Sequence, residues 1–146
     1  MSLKNKLKIA VIGATGYTGL DLVLMLSKHP RVIIKNLCAS KNLGKNISFF
    51  DKRIKKKLPN ISSIKKINWG EIDLVFLSAP NGEAHKIIKQ TFYKYENLKY
   101  IDLSSDFRIK NPKIYSKFYK RKHGAIKLIK SSVYSISEFN KKNLTN

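Results

Sequence analysis

Three glycines spaced three apart, Gly13, Gly16 and Gly19, stand between an aliphatic run, Leu7 to Ile12, and a leucine-rich run that begins at Leu20. No other feature constrains the chain as much, because a glycine-rich turn gains meaning when a buried strand enters it and a helix leaves it. In that context Gly13 allows a tight exit from the strand and Gly16 lets the backbone approach a pyrophosphate. Gly19 permits close packing of helix on strand, and Thr15, Tyr17 and Thr18 lie among these glycines. Free amides at the helix start then face the anion. The commoner dinucleotide spacing is G-x-G-x-x-G, so the generic fingerprint is matched in part, and a tight turn without ligand is the plainer alternative.

Leu20, Leu22, Val23, Leu24, Met25 and Leu26 are apolar nearly all round, which predicts a helix in an interior layer, closed by Lys28-His29-Pro30. Val32 to Ala39 reads as a second strand buried on both faces, the mark of a parallel sheet. Lys41 to Trp69 is broken by Gly44, Pro59 and the basic run Lys52 to Lys57, and predicts loop with short strand or helix pieces. Asp73 to Ala79 is another buried strand, closed by the turn Pro80-Asn81-Gly82. Glu83 to Lys94 has helical spacing at Ala84, Ile87, Ile88, Thr91 and Phe92, and Lys99 to Leu103 is a further strand. Short helices are expected near Pro112 to Tyr119 and Ser137 to Asn143. The alternation predicts an α/β fold, a Rossmann-like doubly wound, mostly parallel sheet with helices on both faces.

The 146 residues amount to one domain, 42% hydrophobic and able to make a core without staples. One cysteine, Cys38, excludes an intrachain disulfide, argues for a reducing, cytoplasmic setting, and leaves no repeated metal-ligand spacing. Cys38 lies within a buried-strand pattern with no histidine nearby in sequence, and reads as packing. The longest apolar stretch, Leu22 to Leu26, is far short of a membrane span, and Met1 to Leu7 is no signal peptide. The formal charge of +21 suggests nucleic acid, and Tyr93, Tyr95, Tyr100, Phe118 and Tyr119 lie among lysines as in a basic binding module. Against that reading, only four of the thirty cations are Arg and the Lys residues are scattered from Lys4 to Lys142. Dispersed lysines bind phosphates weakly and without specificity.

Open α/β sheets bind ligands outside the carboxyl ends of their strands. The second strand lacks the acidic residue that usually meets an NAD ribose and ends instead in Cys38-Ala39-Ser40-Lys41. The hydroxyl of Ser40 and cation of Lys41 suit a 2′-phosphate and so favour NADP, unless they only begin a solvated loop. Pro80 and Asn81 end the next strand, and Ser104-Ser105-Asp106-Phe107-Arg108 the one after. A rare arginine such as Arg108 suits bidentate capture of a carboxylate or phosphate, with a structural ion pair to Asp102 or Asp106 as the alternative. His85 and His123 have no Cys, Asp or second His at catalytic or metal spacing and receive no role.

Together these residues resemble the N-acetyl-gamma-glutamyl-phosphate reductases, the arginine-pathway branch of the semialdehyde dehydrogenase superfamily. Val11 to Gly19 is similar to the family's nucleotide turn, with its Tyr-Thr-Gly ending, and Ile101 to Arg108 to its Asp-Leu-Ser-Ala-Asp-Phe-Arg segment. Asn111-Pro112, Tyr115, Tyr119, Val133-Tyr134, Glu138 and Asn140 follow the family's order. Asn81 stands where the family commonly has His, and Tyr134 to Glu138 replaces a Tyr-Gly-Leu-Pro-Glu run. The resemblance implies reduction of N-acetyl-gamma-glutamyl phosphate: a cysteine thiolate attacks the acyl phosphate, phosphate leaves, and NADPH reduces the thioester to the semialdehyde. Reductases of carrier-linked glutamyl or aminoadipyl phosphates share these turns.

By resemblance, residues 1–146 are an NADP-binding domain. The nucleophilic cysteine, in an Asn-Pro-Gly-Cys motif, and the catalytic and dimerisation domain of a homo-oligomer are expected after Asn146. Isolated, the chain is then expected to bind cofactor without turnover. Gly13, Thr15, Gly16, Tyr17, Thr18, Gly19, Ser40, Lys41, Pro80 and Asn81 would serve the cofactor, and Ser104, Asp106 and Arg108 the substrate, with no metal, membrane or specific nucleic acid involved.

Overall fold

The computed structural model describes residues 6–135. Five strands, β1 (Leu7–Ile12), β2 (Val32–Cys38), β3 (Ile61–Ser62), β4 (Leu74–Leu77) and β5 (Lys99–Asp102), form one parallel sheet in the order β3-β2-β1-β4-β5. This is the doubly wound order, with the strand direction of travel reversing between β1 and β4. Helix α1 (Tyr17–Lys28) joins β1 to β2, and α2 (Ala84–Thr91) joins β4 to β5. Two further helices, α3 (Pro112–Tyr119) and α4 (Ile126–Ile129), follow β5. The short helix expected at Ser137 to Asn143 lies outside the described residues.

Alternate residues of β1 divide the core, as the two-residue period of a strand requires. Ile9 and Val11 pack with Leu22 and Val23 of α1, while Ala10 and Ile12 pack with Ala84, Ile87 and Ile88 of α2 and with Leu128 and Ile129 of α4. Helices therefore cover both faces. The β1–β2 register slips once: Ile9 pairs with Ile34 but Ala10 with Asn36, leaving Lys35 unmatched. The extra residue keeps Ile34 and Leu37, three apart, on the same face.

Two sequence expectations are corrected. Helix α1 is not enclosed all round, because Met25 is 64% exposed and only one stripe of the helix reaches the core. Nor is β2 buried on both faces along its length, since Ile33 is 43% exposed. Among the described residues, Cys38 at the strand's carboxyl end is the one β2 residue that joins the core on the α2 face. Lys41 to Trp69 contains β3 and two single turns of 3₁₀ helix, Ile47–Phe49 and Ile64–Lys66, and a third, Trp69–Glu71, begins at its end. Apolar residues of this stretch, Ile47 and Ile67 among them, supply both core clusters.

Candidate functional site

The carboxyl ends of β1, β2, β4 and β5 all open on one edge of the sheet. The backbone N–H groups of Gly13 and Ala14 both donate to the Cys38 carbonyl, at 2.9 and 3.0 Å, which ties the glycine turn to the end of β2. Gly13 has φ +80°, and a Cβ there would overlap the Ser78 carbonyl beyond β4. At Gly19 a Cβ would overlap the Gly13 carbonyl. The fold itself thus demands glycine at these two positions. Gly16 is different: its φ of −76° suits any residue, and the nearest atom to an added Cβ is the Gly13 oxygen at 3.5 Å.

Gly16 is the N-cap of α1, with no side-chain cap and no acid in the first turn. Within the described residues the N–H groups of Tyr17 and Thr18 meet no acceptor. A missing side chain that the fold does not need, beside unpaired amides at a positive helix end, fits a phosphate group approaching from outside. Ala14 is buried, Thr15 half-buried, and Tyr17 and Thr18 exposed, Tyr17 at 95%. Ser40 and Lys41 are exposed just past β2, next to the turn that Cys38 anchors. No acid follows β2 until Asp51.

Beyond β4 and β5 two loops are joined by one buried carboxylate. Asp106, 0% exposed, accepts from the Asn81 amide (2.9 Å), the Gly82 N–H (2.7 Å), the His85 N–H (3.1 Å) and the Tyr115 hydroxyl (3.0 Å). Asp106 therefore does not line the crevice as a substrate ligand would; it caps α2 from another loop. Burial, then the hydrogen bond to Asp106, pushes the Tyr115 phenol up to about 12.

His123 donates from Nε2 to the Asp106 carbonyl (3.0 Å), a tautomer fixed because Nδ1 accepts the Ala125 N–H (3.1 Å). His85 stacks edge-on against His123 at 4.7 Å, with Nδ1 3.6 Å from the Asp106 carboxylate and otherwise unpartnered. Burial pushes both imidazoles below the ordinary histidine value; Asp106 opposes this at His85, and His85 adds to it at His123. Sequence spacing missed this cluster, since its members are 17 to 21 residues from Asp106. A usable signal was Gly124, where a Cβ would stand 3.0 Å from the His85 ring.

Asn81 and Pro80 sit at the end of β4, Pro80 exposed and Asn81 half-buried. Arg121, which received no site role from sequence, donates from Nη1 to the Asn81 carbonyl at 2.6 Å. After β5, the Ser104 N–H donates to Asp102 Oδ1 (2.8 Å) and the Ser104 hydroxyl accepts the Asp106 N–H (3.1 Å). Arg108 is exposed and donates from Nε to the Ser104 carbonyl (3.1 Å); among the described residues it makes no ion pair with Asp102 or Asp106. Ser104, Arg108 and Asp102 border a groove of about 840 Å³ beside β5 that Ser131 to Ser135 also line. Asp102 Oδ2 is buried there without a partner, and burial raises the acid's pKa. Cys38 is 1% exposed, its thiol raised by burial and 3.7 Å from the Ser62 hydroxyl. Among the described residues no cluster of three or more His, Cys, Asp or Glu is placed to hold a metal, and no helix is long and apolar enough to cross a membrane.

Residues 8–146 match the family model "Semialdehyde dehydrogenase, NAD binding domain". Among curated relatives, the N-acetyl-gamma-glutamyl-phosphate reductase of Ehrlichia canis is 41% identical over 138 residues, 93% of this chain and 39% of its own length. That of Afipia carboxidovorans is 36% identical over 139 residues, 93% of this chain and 40% of the relative. The chain thus spans about 40% of the length of these relatives. Among solved structures, Candida albicans aspartate semialdehyde dehydrogenase with NADP aligns at a TM-score of 0.52 and 26% identity, over 72% of this chain and 31% of that one. Aspartate semialdehyde dehydrogenase II of Vibrio cholerae aligns at 0.55 and 18% identity, over 81% of this chain and 37% of its own, and supports the fold alone.

Proposed function

The chain belongs to the semialdehyde dehydrogenase family through its NAD-binding domain, and from that premise we propose that it is the NADPH-binding part of an acyl-phosphate reductase. The substrate we infer is N-acetyl-gamma-glutamyl phosphate, reduced to N-acetylglutamate semialdehyde in arginine biosynthesis, after the relatives bearing that name. The observation that carries the reading is Gly16, a glycine the fold does not require, set beside unpaired amides at the start of α1.

Gly13, Gly16 and Gly19 with Thr15, Tyr17 and Thr18 would hold the pyrophosphate, the helix end supplying positive charge. Ser40 and Lys41 would receive the 2′-phosphate, and Pro80 and Asn81 would border the nicotinamide. When bound, NADPH supplies a hydride. Ser104 and Arg108 would face the acyl phosphate or its carboxylate, Arg108 with the planar donors such a group accepts. The nucleophile is assigned outside these 146 residues, because the one cysteine they hold, Cys38, is buried in the sheet. We further infer that residues 1–146 form the cofactor domain, and that a catalytic and dimerisation domain in the same homo-oligomeric protein completes the site. A free thiol and no disulfide suit a reducing, cytoplasmic compartment.

The test compares NADPH and NADH binding to the wild-type chain and to a Ser40→Ala/Lys41→Ala variant, followed by nicotinamide fluorescence. The expected result is tighter NADPH binding in the wild type and a loss of most of that preference, about tenfold, in the variant, since hydrogen bonds to charged groups contribute about 1.5–3 kcal/mol. Equal affinities for both cofactors in the wild type would overturn the assignment of Ser40 and Lys41.

A further inference from the structure

We propose that Asp106, together with Ser105, is a positioning residue that fixes the Asn81 carboxamide so that its oxygen, and not its nitrogen, is offered to the bound ligand. The proposal rests on the dinucleotide reading above. It starts from what the carboxylate of Asp106 must do. The Gly82 and His85 N–H groups only donate, and they reach Oδ1 and Oδ2 respectively, at 2.7 and 3.1 Å. Both oxygens are therefore acceptors, and the Asn81 group that faces Oδ1 must be the NH₂.

An amide NH₂ has two hydrogens, and here both are committed. Asn81 Nδ2 lies 2.9 Å from Asp106 Oδ1 and 2.7 Å from the Ser105 hydroxyl oxygen. The third neighbour, the Tyr115 hydroxyl at 3.4 Å, already donates to Asp106 at 3.0 Å. Nothing among the described residues donates to Asn81 Oδ1, and that oxygen is not among the buried unpaired atoms. The Asn81 backbone carbonyl is held separately by Arg121. The carboxamide is thus clamped from one side only, with a free acceptor on the other, at the carboxyl end of β4.

The consequence is a rule of polarity. A group that meets Asn81 in the crevice has to be a donor: a ribose hydroxyl or the carboxamide N–H of the nicotinamide riboside half. A phosphate or carbonyl oxygen is refused, because the donors that would receive it are turned toward Asp106 and Ser105. The same clamp accounts for a buried aspartate in a loop where an exposed substrate ligand was expected.

The experiment measures binding of NADPH, and of adenosine 2′,5′-bisphosphate as the half lacking nicotinamide, to wild type, Asn81→Ala, Asp106→Asn, Ser105→Ala and the Asp106→Asn/Asn81→Ala double variant. Ser105→Ala removes one half-buried contact and leaves the Asp106 cap of α2 intact, so it serves if Asp106→Asn does not fold. The proposal expects Asn81→Ala and Asp106→Asn each to weaken NADPH about tenfold and Ser105→Ala about threefold, with adenosine 2′,5′-bisphosphate unchanged. The double variant should bind NADPH no worse than Asn81→Ala. Equal weakening of both ligands, or additive losses in the double variant, would mark a merely structural role and overturn it.

A wild-type chain that binds neither ligand overturns the dinucleotide reading and the ligand side of this proposal with it. The clamp is then decided by the Asn81 side-chain amide protons in the free chain. Slow exchange that Ser105→Ala accelerates upholds it; exchange at the rate of an exposed amide overturns it.

Discussion

Gly13 and Gly16 stand three residues apart and should respond in opposite ways to one methyl group. Alanine at position 13 would have to sit at φ +80° against the Ser78 carbonyl, so Gly13→Ala is expected to cost at least about 2 kcal/mol of stability, read by urea unfolding. Gly16→Ala at φ −76° meets only an ordinary contact with the Gly13 oxygen at 3.5 Å and should cost no more than about 1 kcal/mol, the N-cap preference for Gly over Ala, while weakening NADPH binding at least tenfold. A Gly16→Ala chain that binds NADPH as the wild type does would remove the strongest support for a phosphate at that turn. Sequence placed these glycines because strand, turn and helix are contiguous. It could not place the His85–His123–Asp106 cluster, whose members meet through tertiary folding and follow no local period. That cluster predicts acid sensitivity. Burial depresses both imidazoles below 6.5, the value of an unfolded histidine, so below that pH the unfolded chain binds more protons than the folded one. Asp106 and Glu83 oppose the depression at His85, while Lys86 and Arg121 add to it. Stability from this source is complete above 6.5 and falls as pH drops through the lowered folded values. Urea midpoints should therefore decline on acidification below about pH 6.5, and histidine ring resonances of the folded chain should show two sites still neutral there.

Helix ends show where short-range sequence logic works and where it stops. Helix α3 begins with its own signal: Asn111 accepts from the N–H groups of Lys113 (2.9 Å) and Ile114 (3.3 Å), and Pro112 fills the first turn. Asn111→Ala should lower stability by about 1 kcal/mol, measured as the shift in urea midpoint, without changing NADPH affinity. Helix α2 has no side-chain cap of its own and borrows Asp106 from a loop more than 20 residues later, an arrangement no local pattern announces. The strands were legible because parallel strands buried between helices are continuous aliphatic runs, as in Leu74–Leu77. The misread part of β2 follows from the same rule: Val-Ile-Ile signals burial on both faces, yet among the described residues only the end of that strand joins the core on the α2 side, and Ile33 stays exposed. Lys41 to Trp69 read poorly because its pieces are two or three residues long, too short to display any period.

At the scale of the molecule, the chain carries a formal charge of +21 and few ion pairs among its described residues. Among the described residues Arg53 meets Asp21 and Asp51, Lys86 meets Glu83, and the remaining acid–base contact is the buried His85–Asp106 pair. Such a surface repels itself, so the thermal midpoint should rise between about 20 and 200 mM salt as the Debye length shortens from about 20 to 7 Å. An unchanged or falling midpoint would mean that paired charges outweigh the repulsion. The same excess of cations attracts any polyanion weakly, so selectivity is what separates a built crevice from a basic surface. A dinucleotide crevice should discriminate one phosphate on a ribose; scattered lysines should not. The most direct measurement is isothermal titration of the folded chain with NADPH and with NADH at physiological salt. The account predicts saturable, one-to-one NADPH binding with a submillimolar Kd and clearly weaker NADH binding. A demonstrably folded chain that takes up neither cofactor would contradict it.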